Sequence, residues 1–181
     1  MNVYEDPLVK YPSLWGLCTY ILLIIFAALK LETAIVILAL ITGGVFSIFI
    51  AYIGGQPDNR LTAFILLSNI LYLTCFWIFS NADSYRHMSA LLASIAGAVL
   101  LFVLYYWLIN KNYKLWVGVI CMFAVGAISA APYLILSFFD SHEFTDINEA
   151  SGLFIFFSII PIWQILFVLT LAKISKNEPI S

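Results

Sequence analysis

The sequence predicts an all-α integral membrane protein, a six-helix polytopic transmembrane bundle, and three observations carry that reading. The 181-residue chain is 64% hydrophobic and only 10% charged, with a mean hydropathy of +1.03. A soluble domain carries about 25% charged residues and has too few core positions for so many apolar side chains. The apolar stretches run on for the roughly 20 residues that cross about 30 Å of hydrocarbon, whereas an outer-membrane barrel alternates apolar and polar residues over about ten. The interruptions between them are short and polar, of the kind that joins antiparallel neighbours. The whole chain, 1–181, reads as a single membrane domain.

The expected spans are 13–31, 34–54, 61–80, 88–110, 115–139 and 153–173. The first two are divided only by Lys-Leu-Glu-Thr, Lys30 to Thr33. One helix from Ser13 to Ile53 would be about 60 Å long at ~1.5 Å per residue, about twice the membrane, so two passes and a tight hairpin fit instead. The first span is expected to be retained, because no small-x-small cleavage site follows it and a second span comes almost at once. Gly54 to Arg60 supplies helix-ending glycines, a Pro-Asp turn and Asn59 as an N-cap for the third span. The turns Asn81 to His87 and Asn110 to Lys114 bound the fourth.

Six passes put both termini on one side. That side holds Lys10, Arg60, Lys111, Lys114, Lys173 and Lys176, against Lys30 and Arg86 on the other. The excess of Lys and Arg in cytoplasmic loops then places both termini inside, and small size with short loops points to a bacterial cytoplasmic (inner) membrane. The aromatic residues fit these boundaries: Tyr11, Trp15, Tyr105, Tyr106, Trp107, Tyr113 and Trp116 gather at the inner ends, Trp77 and Tyr85 toward the outer, as a belt at the water interface.

Helices in lipid associate by close packing, so small residues mark contacts. Ala93 to Ala98 in the fourth span and Ala124 to Ala131 in the fifth lie at matching depth, with small-xxx-small spacing at Ala93/Gly97 and Gly126/Ala130. Thr42 to Ser47 is a third contact in the second span. Gly44-Val-Phe-Ser47 and Gly126-Ala-Ile-Ser129 also share a spacing, a match no stronger than apolar sequences give by chance.

No Asp, Glu, Lys, Arg or His falls in the middle of a span. A mid-membrane charge costs roughly 2.5–3.5 kcal/mol on insertion scales and marks a pathway where it occurs, so a proton-coupled carrier is disfavoured. The polar groups at mid-depth are Asn69, Gln164 and the hydroxyls of Ser47, Ser129 and Ser158. Pro132 and Pro161 break the fifth and sixth spans and each frees a carbonyl. Asn69, Ser129, Pro132, Pro161 and Gln164 are therefore the candidate ligand-binding residues. The alternative is that Asn69 and Gln164 bond across helices as structural glue, worth about 1 kcal/mol.

Ser137 to Phe154 is acidic and lacks Lys and Arg. Asp140, His142, Glu143 and Asp146 are close in sequence, but neither HExxH nor an EF-hand pattern is present, so no metal site is expected. Thr145 as a cap, with Asp146 and Glu149 in the first turn of the last helix, explains two of the acids. Docking of a basic partner on this outer loop is a further use for it. Cys18, Cys75 and Cys121 form no CxxC pair and read as small buried hydrophobes.

The net charge of −2 and the absence of a basic cluster exclude nucleic acid as a partner. The expected partners are membrane lipids and other membrane proteins, and no cofactor is implied. Short loops and uncharged spans point to a non-enzymatic accessory, protective or assembly component. A transporter or channel for a small neutral or lipid-like solute is the alternative, and an enzyme on lipid-linked substrates, using Asp83, Asp140 and Glu143, is a third. Reporter fusions after Pro57 and Asn112 are expected to report cytoplasm and a fusion after Asn148 the opposite side; a cytoplasmic signal at Asn148 overturns the six-pass topology.

Overall fold

The computed structural model describes residues 7–29, 32–53, 59–80, 86–140 and 149–176. They form six helices: α1 (Pro7–Ala28), α2 (Glu32–Ile53), α3 (Asn59–Ser80), α4 (Arg86–Leu108), α5 (Leu115–Asp140) and α6 (Glu149–Lys176). Every expected span corresponds to one helix. The largest differences in boundary are at α1, which begins at Pro7, and at α6, which gains a turn at its start. Proline is tolerated in a first turn, where its missing N–H has no helical partner, so the polar start of the chain does not delay α1. The cap proposed at Thr145 lies outside the described residues, as do His142, Glu143 and Asp146. Glu149 does stand at the start of α6.

The helices form a closed ring. Each packs on its neighbours in sequence, and α6 returns to pack on α1. From α1 to α5 consecutive helices are antiparallel, as their contact pairs show. Tyr11 stacks on Phe49 and Thr19 faces Thr42; Gly43 meets Tyr72 and Gly44 meets Asn69; Phe64 meets Tyr105 and Cys75 meets Gly97; Gly118 meets Phe102 and Gly126 meets Ile95. This order brings the exposed Lys10, Arg60, Lys111, Lys114 and Lys173 to one end of the ring.

The apolar surface faces outward. Leu17, Ile21 and Ile25 on α1, Leu66 and Ile70 on α3, Leu92 on α4, and Trp116, Ile120 and Phe123 on α5 are all exposed. Among the described residues, three helices are long and apolar enough to cross a membrane: Val9–Phe26, Met88–Leu108 and Leu115–Pro132. Shorter apolar helical stretches occupy Ile41–Ala51 and Ile159–Ile174. The latter is the most enclosed segment described, with Lys173 its one exposed residue.

Tyr105 and Tyr113 correct the expected aromatic belt. Both are buried and pack edge-on to one another, Tyr105 against Phe64 and Tyr113 against Phe102. They point inward and close the end of the ring that carries the exposed Lys and Arg residues. Trp107, Trp116 and Tyr11 do face outward, and Lys111 sits 5.3 Å from the Trp107 ring centroid. The N–H of Asn110 reaches back to the Tyr105 carbonyl at 3.0 Å, closing the end of α4 before the turn.

The small-residue patches of α4 and α5 do meet, at Gly126. A Cβ there would strike the Ile95 Cα and the Ser94 carbonyl. Gly97, expected on the same seam, instead faces Cys75 of α3, where a Cβ would lie 3.5 Å from the Sγ, in ordinary van der Waals contact. The Gly44 and Gly126 motifs are not structural equivalents, since Gly44 faces the helix that follows it and Gly126 the one that precedes it. Gly126→Ala should therefore destabilise by about 1–3 kcal/mol, because backbone rather than a movable side chain blocks the new methyl. Gly97→Ala should be neutral or stabilising by up to about 1 kcal/mol through helix propensity. Thermal unfolding of the two variants in detergent compares them directly.

Candidate functional site

Mid-helix hydroxyls and amides in an apolar setting need partners, and most here find them on their own helix. Thr19 donates to the Trp15 carbonyl at 2.9 Å, Thr42 to Leu38 at 2.6 Å, Ser47 to Gly43 at 2.8 Å and Ser129 to Val125 at 2.6 Å. Asn69 donates its amide to the Ile65 carbonyl at 2.8 Å, and Ser68 donates to the same carbonyl at 2.9 Å. Short side chains reach the carbonyl three or four residues back, so they need nothing from another helix.

Other buried polar atoms have no such partner, the short hydroxyl of Ser94 on α4 among them. Gln164 of α6 is fully buried, and neither its Oε1 nor its Nε2 has a protein hydrogen-bond partner. The same holds for the buried Tyr72 hydroxyl of α3 and for the Trp15 indole N–H and Ser13 hydroxyl of α1. Gln164 lies close to Gly16 of α1 and to Tyr72 of α3. The Tyr72 hydroxyl and the Gln164 side chain interact with each other. Trp15 adjoins Gly16, and a Cβ on Gly16 would lie 2.8 Å from Gln164 Oε1 and 3.5 Å from the Pro161 Cα. Ser13 shares the Gly16 face of α1, one turn away.

Aromatic rings wall this polar node. Trp163 meets the edge of Tyr72 at 5.4 Å between centroids, Phe46 of α2 at 5.7 Å, and stacks on Phe167 at 5.3 Å. Phe46 also packs on Phe167 at 6.0 Å. Side chains of α6 thus cross the interior to α2 and α3, two helices that are not its main packing partners.

Of the residues singled out in the sequence, Gln164 and Pro161 belong to this node. Asn69 stands one turn from Tyr72 on α3 but packs against Gly44, where a Cβ would lie 3.2 Å from its Oδ1. No hydrogen bond joins Asn69 to Gln164. Ser129 is buried and Pro132 half-buried on α5, with the Ser129 hydroxyl committed to its own helix. Trp163 falls in the Ser158 to Gln164 stretch of the expected binding locus, Trp15 was assigned to the interface belt, and Tyr72 and Gly16 were not singled out. The available signal for Tyr72 and Trp163 was depth: aromatic residues with polar tips placed well inside a span, away from the interface that usually takes them. Among the described residues no three His, Cys, Asp or Glu side chains come together as metal ligands. Comparison with known proteins finds no matching family model, no similar curated protein and no similar solved structure.

The Gly16 contact gives a direct test of this geometry. Gly16→Ala should cost about 1–3 kcal/mol of stability, and the cost should fall by at least about 0.5 kcal/mol when Gln164 is also replaced by Ala. A double-mutant cycle read by thermal unfolding measures that coupling, and additive effects would place Gln164 elsewhere.

Proposed function

We propose that the chain is a six-pass protein of a bacterial cytoplasmic membrane, with both termini cytoplasmic. In this reading it acts without catalysis, as an accessory, protective or assembly component that contacts other membrane proteins. The filled interior is the observation that supports it. Phe46, Trp163 and Phe167 close the middle of the ring, Phe64, Phe102, Tyr105 and Tyr113 close one end, and large apolar side chains are left on the outside. A protein built this way offers its outer faces for interaction. The gathering of exposed Lys and Arg at the closed end supports the orientation, since that end matches a cytoplasmic face.

One observation favours the second reading, a carrier or channel for a small neutral solute. The Gln164 amide and Tyr72 hydroxyl are uncharged, buried and short of partners, which suits a neutral ligand better than an ion. The double substitution Asn69→Leu, Gln164→Leu separates the two readings. Under the accessory reading, vesicles containing the folded variant and the parent protein show the same neutral-solute permeability, and only stability changes. A solute flux that is present in the parent and lost in the folded variant establishes the carrier and removes the accessory reading.

A further inference from the structure

We propose that the turn between α4 and α5, with Lys111 and Lys114 set between Trp107 and Trp116, binds the headgroup of an anionic phospholipid. The site rests on the membrane reading of the chain and is independent of whether the protein is an accessory component or a carrier.

Charge selects the sign of the partner. Lys111 and Lys114 are exposed, in a turn from Asn110 to Lys114 that contains no acid. The nearest acids in sequence are Asp83, which precedes α4, and Asp140, which ends α5. Over the 26 residues of α5, at ~1.5 Å each, Asp140 stands about 38 Å along the axis from the turn, several screening lengths away. The neighbouring helices add the same sign. Arg60 lies at the start of α3, which packs on α4, and Lys173 near the end of α6, which packs on α5. Gly16 meets Gln164 while Ile160 joins Leu23, so α6 runs opposite to α1 and brings Lys173 to the end that carries Lys10. The acids that the sequence assigns to this end, Glu5, Asp6, Asp58 and Glu178, lie outside the described residues.

Depth and apolar surface select a lipid rather than a free anion. The Tyr113 ring, buried against Phe102 and Tyr105, ties the turn to the bundle, and the Asn112 N–H donates to Asn110 Oδ1 at 3.0 Å within it. Trp107 and Trp116 are 56% and 77% exposed. Exposed indoles settle at the headgroup level of a bilayer, and Lys111 Nζ lies 5.3 Å from the Trp107 ring centroid. The two ammonium groups are thereby held at phosphate depth, where each offers donors and no acceptor. Away from the turn the surface becomes apolar. Trp116, Ile120 and Phe123 share one exposed face of α5, and the exposed Leu100 lies two turns from Trp107 on α4. A headgroup on the lysines has this surface alongside for its acyl chains, which a free phosphate cannot use.

Native mass spectrometry of the intact chain in detergent tests this with phosphatidylglycerol and phosphatidylcholine of identical acyl chains. The first phosphatidylglycerol should bind at least about threefold more tightly than the first phosphatidylcholine, since each Lys near a bilayer surface favours anionic lipid by roughly fivefold. The double variant Lys111→Gln, Lys114→Gln should lower that preference at least about twofold. Arg86→Gln, at the opposite end of α4, should leave it unchanged. Glycerol phosphate, which carries the phosphate without acyl chains, should form no adduct at the concentration where half of the chain holds phosphatidylglycerol. The proposal is overturned if the folded double variant keeps the full preference, if Arg86→Gln loses as much of it, or if glycerol phosphate binds as tightly as the lipid. If the double variant does not fold, Lys111→Gln alone decides, with a loss of at least about 1.5-fold expected. Equal binding of the two lipids overturns the site alone, whereas a chain that binds neither lipid overturns the membrane reading with it.

Discussion

The structure depends on the return of α6 to α1. Five of the ring's seams join helices adjacent in sequence, which a short turn brings together whatever their faces. The sixth joins the two ends of the chain and must be made by side-chain complementarity alone. Gly16 provides it, because the absence of a Cβ lets α1 approach the proline-bearing turn of α6 and lie against the Gln164 side chain. Pro161 contributes from the other side by removing one backbone N–H from the helix that crosses there. From this seam Trp163 and Phe167 extend across the interior to Phe46, and Trp163 to Tyr72, so the central packing depends on the same contact.

A second constraint is the accounting of polar groups. Ser47, Thr42, Thr19, Asn69 and Ser129 satisfy their donors on carbonyls of their own helices. Such residues are nearly silent in tertiary structure, and their presence at mid-depth says little about function. Gln164, Tyr72 and Trp15 are different because their polar atoms sit too far from their own backbone. The contrast separates two kinds of buried polarity that look alike in a list of residues. It also moves attention from Asn69 to Tyr72, one turn further along α3.

How much was legible in the sequence follows from what a nearly uniform apolar stretch can encode. Depth along each helix is written in the positions of Lys30, Asn59, Arg86, Asn110 and their neighbours, and all six helices were found from it. Facing is not written in the same way. When nearly every residue is apolar, no period distinguishes inside from outside. Tyr105 and Tyr113 were therefore assigned to the interface when they point to the core, and Gly97 was matched with α5 when it faces α3. Gln164 and Pro161 were legible as site residues because a lone amide and a proline are rare in such surroundings. Trp15, placed in the belt, and Tyr72 were not, since an aromatic residue reads as apolar until its polar atom is found without a partner.

The α1–α6 seam also has a consequence in time. A chain made from its N-terminus has α1 long before α6, and no earlier helix supplies the Pro161 and Gln164 surface that Gly16 packs against. Throughout most of synthesis the incomplete bundle is an open arc, with the Ser13, Trp15 and Gly16 face of α1 unmatched. The contact that defines the finished shape is the one of greatest separation along the chain, and loop-closure entropy makes such contacts slow to form. The final helix therefore acts as a checkpoint on assembly: a chain that stops before α6 keeps the four seams among α1 to α5 and still has no closed interior.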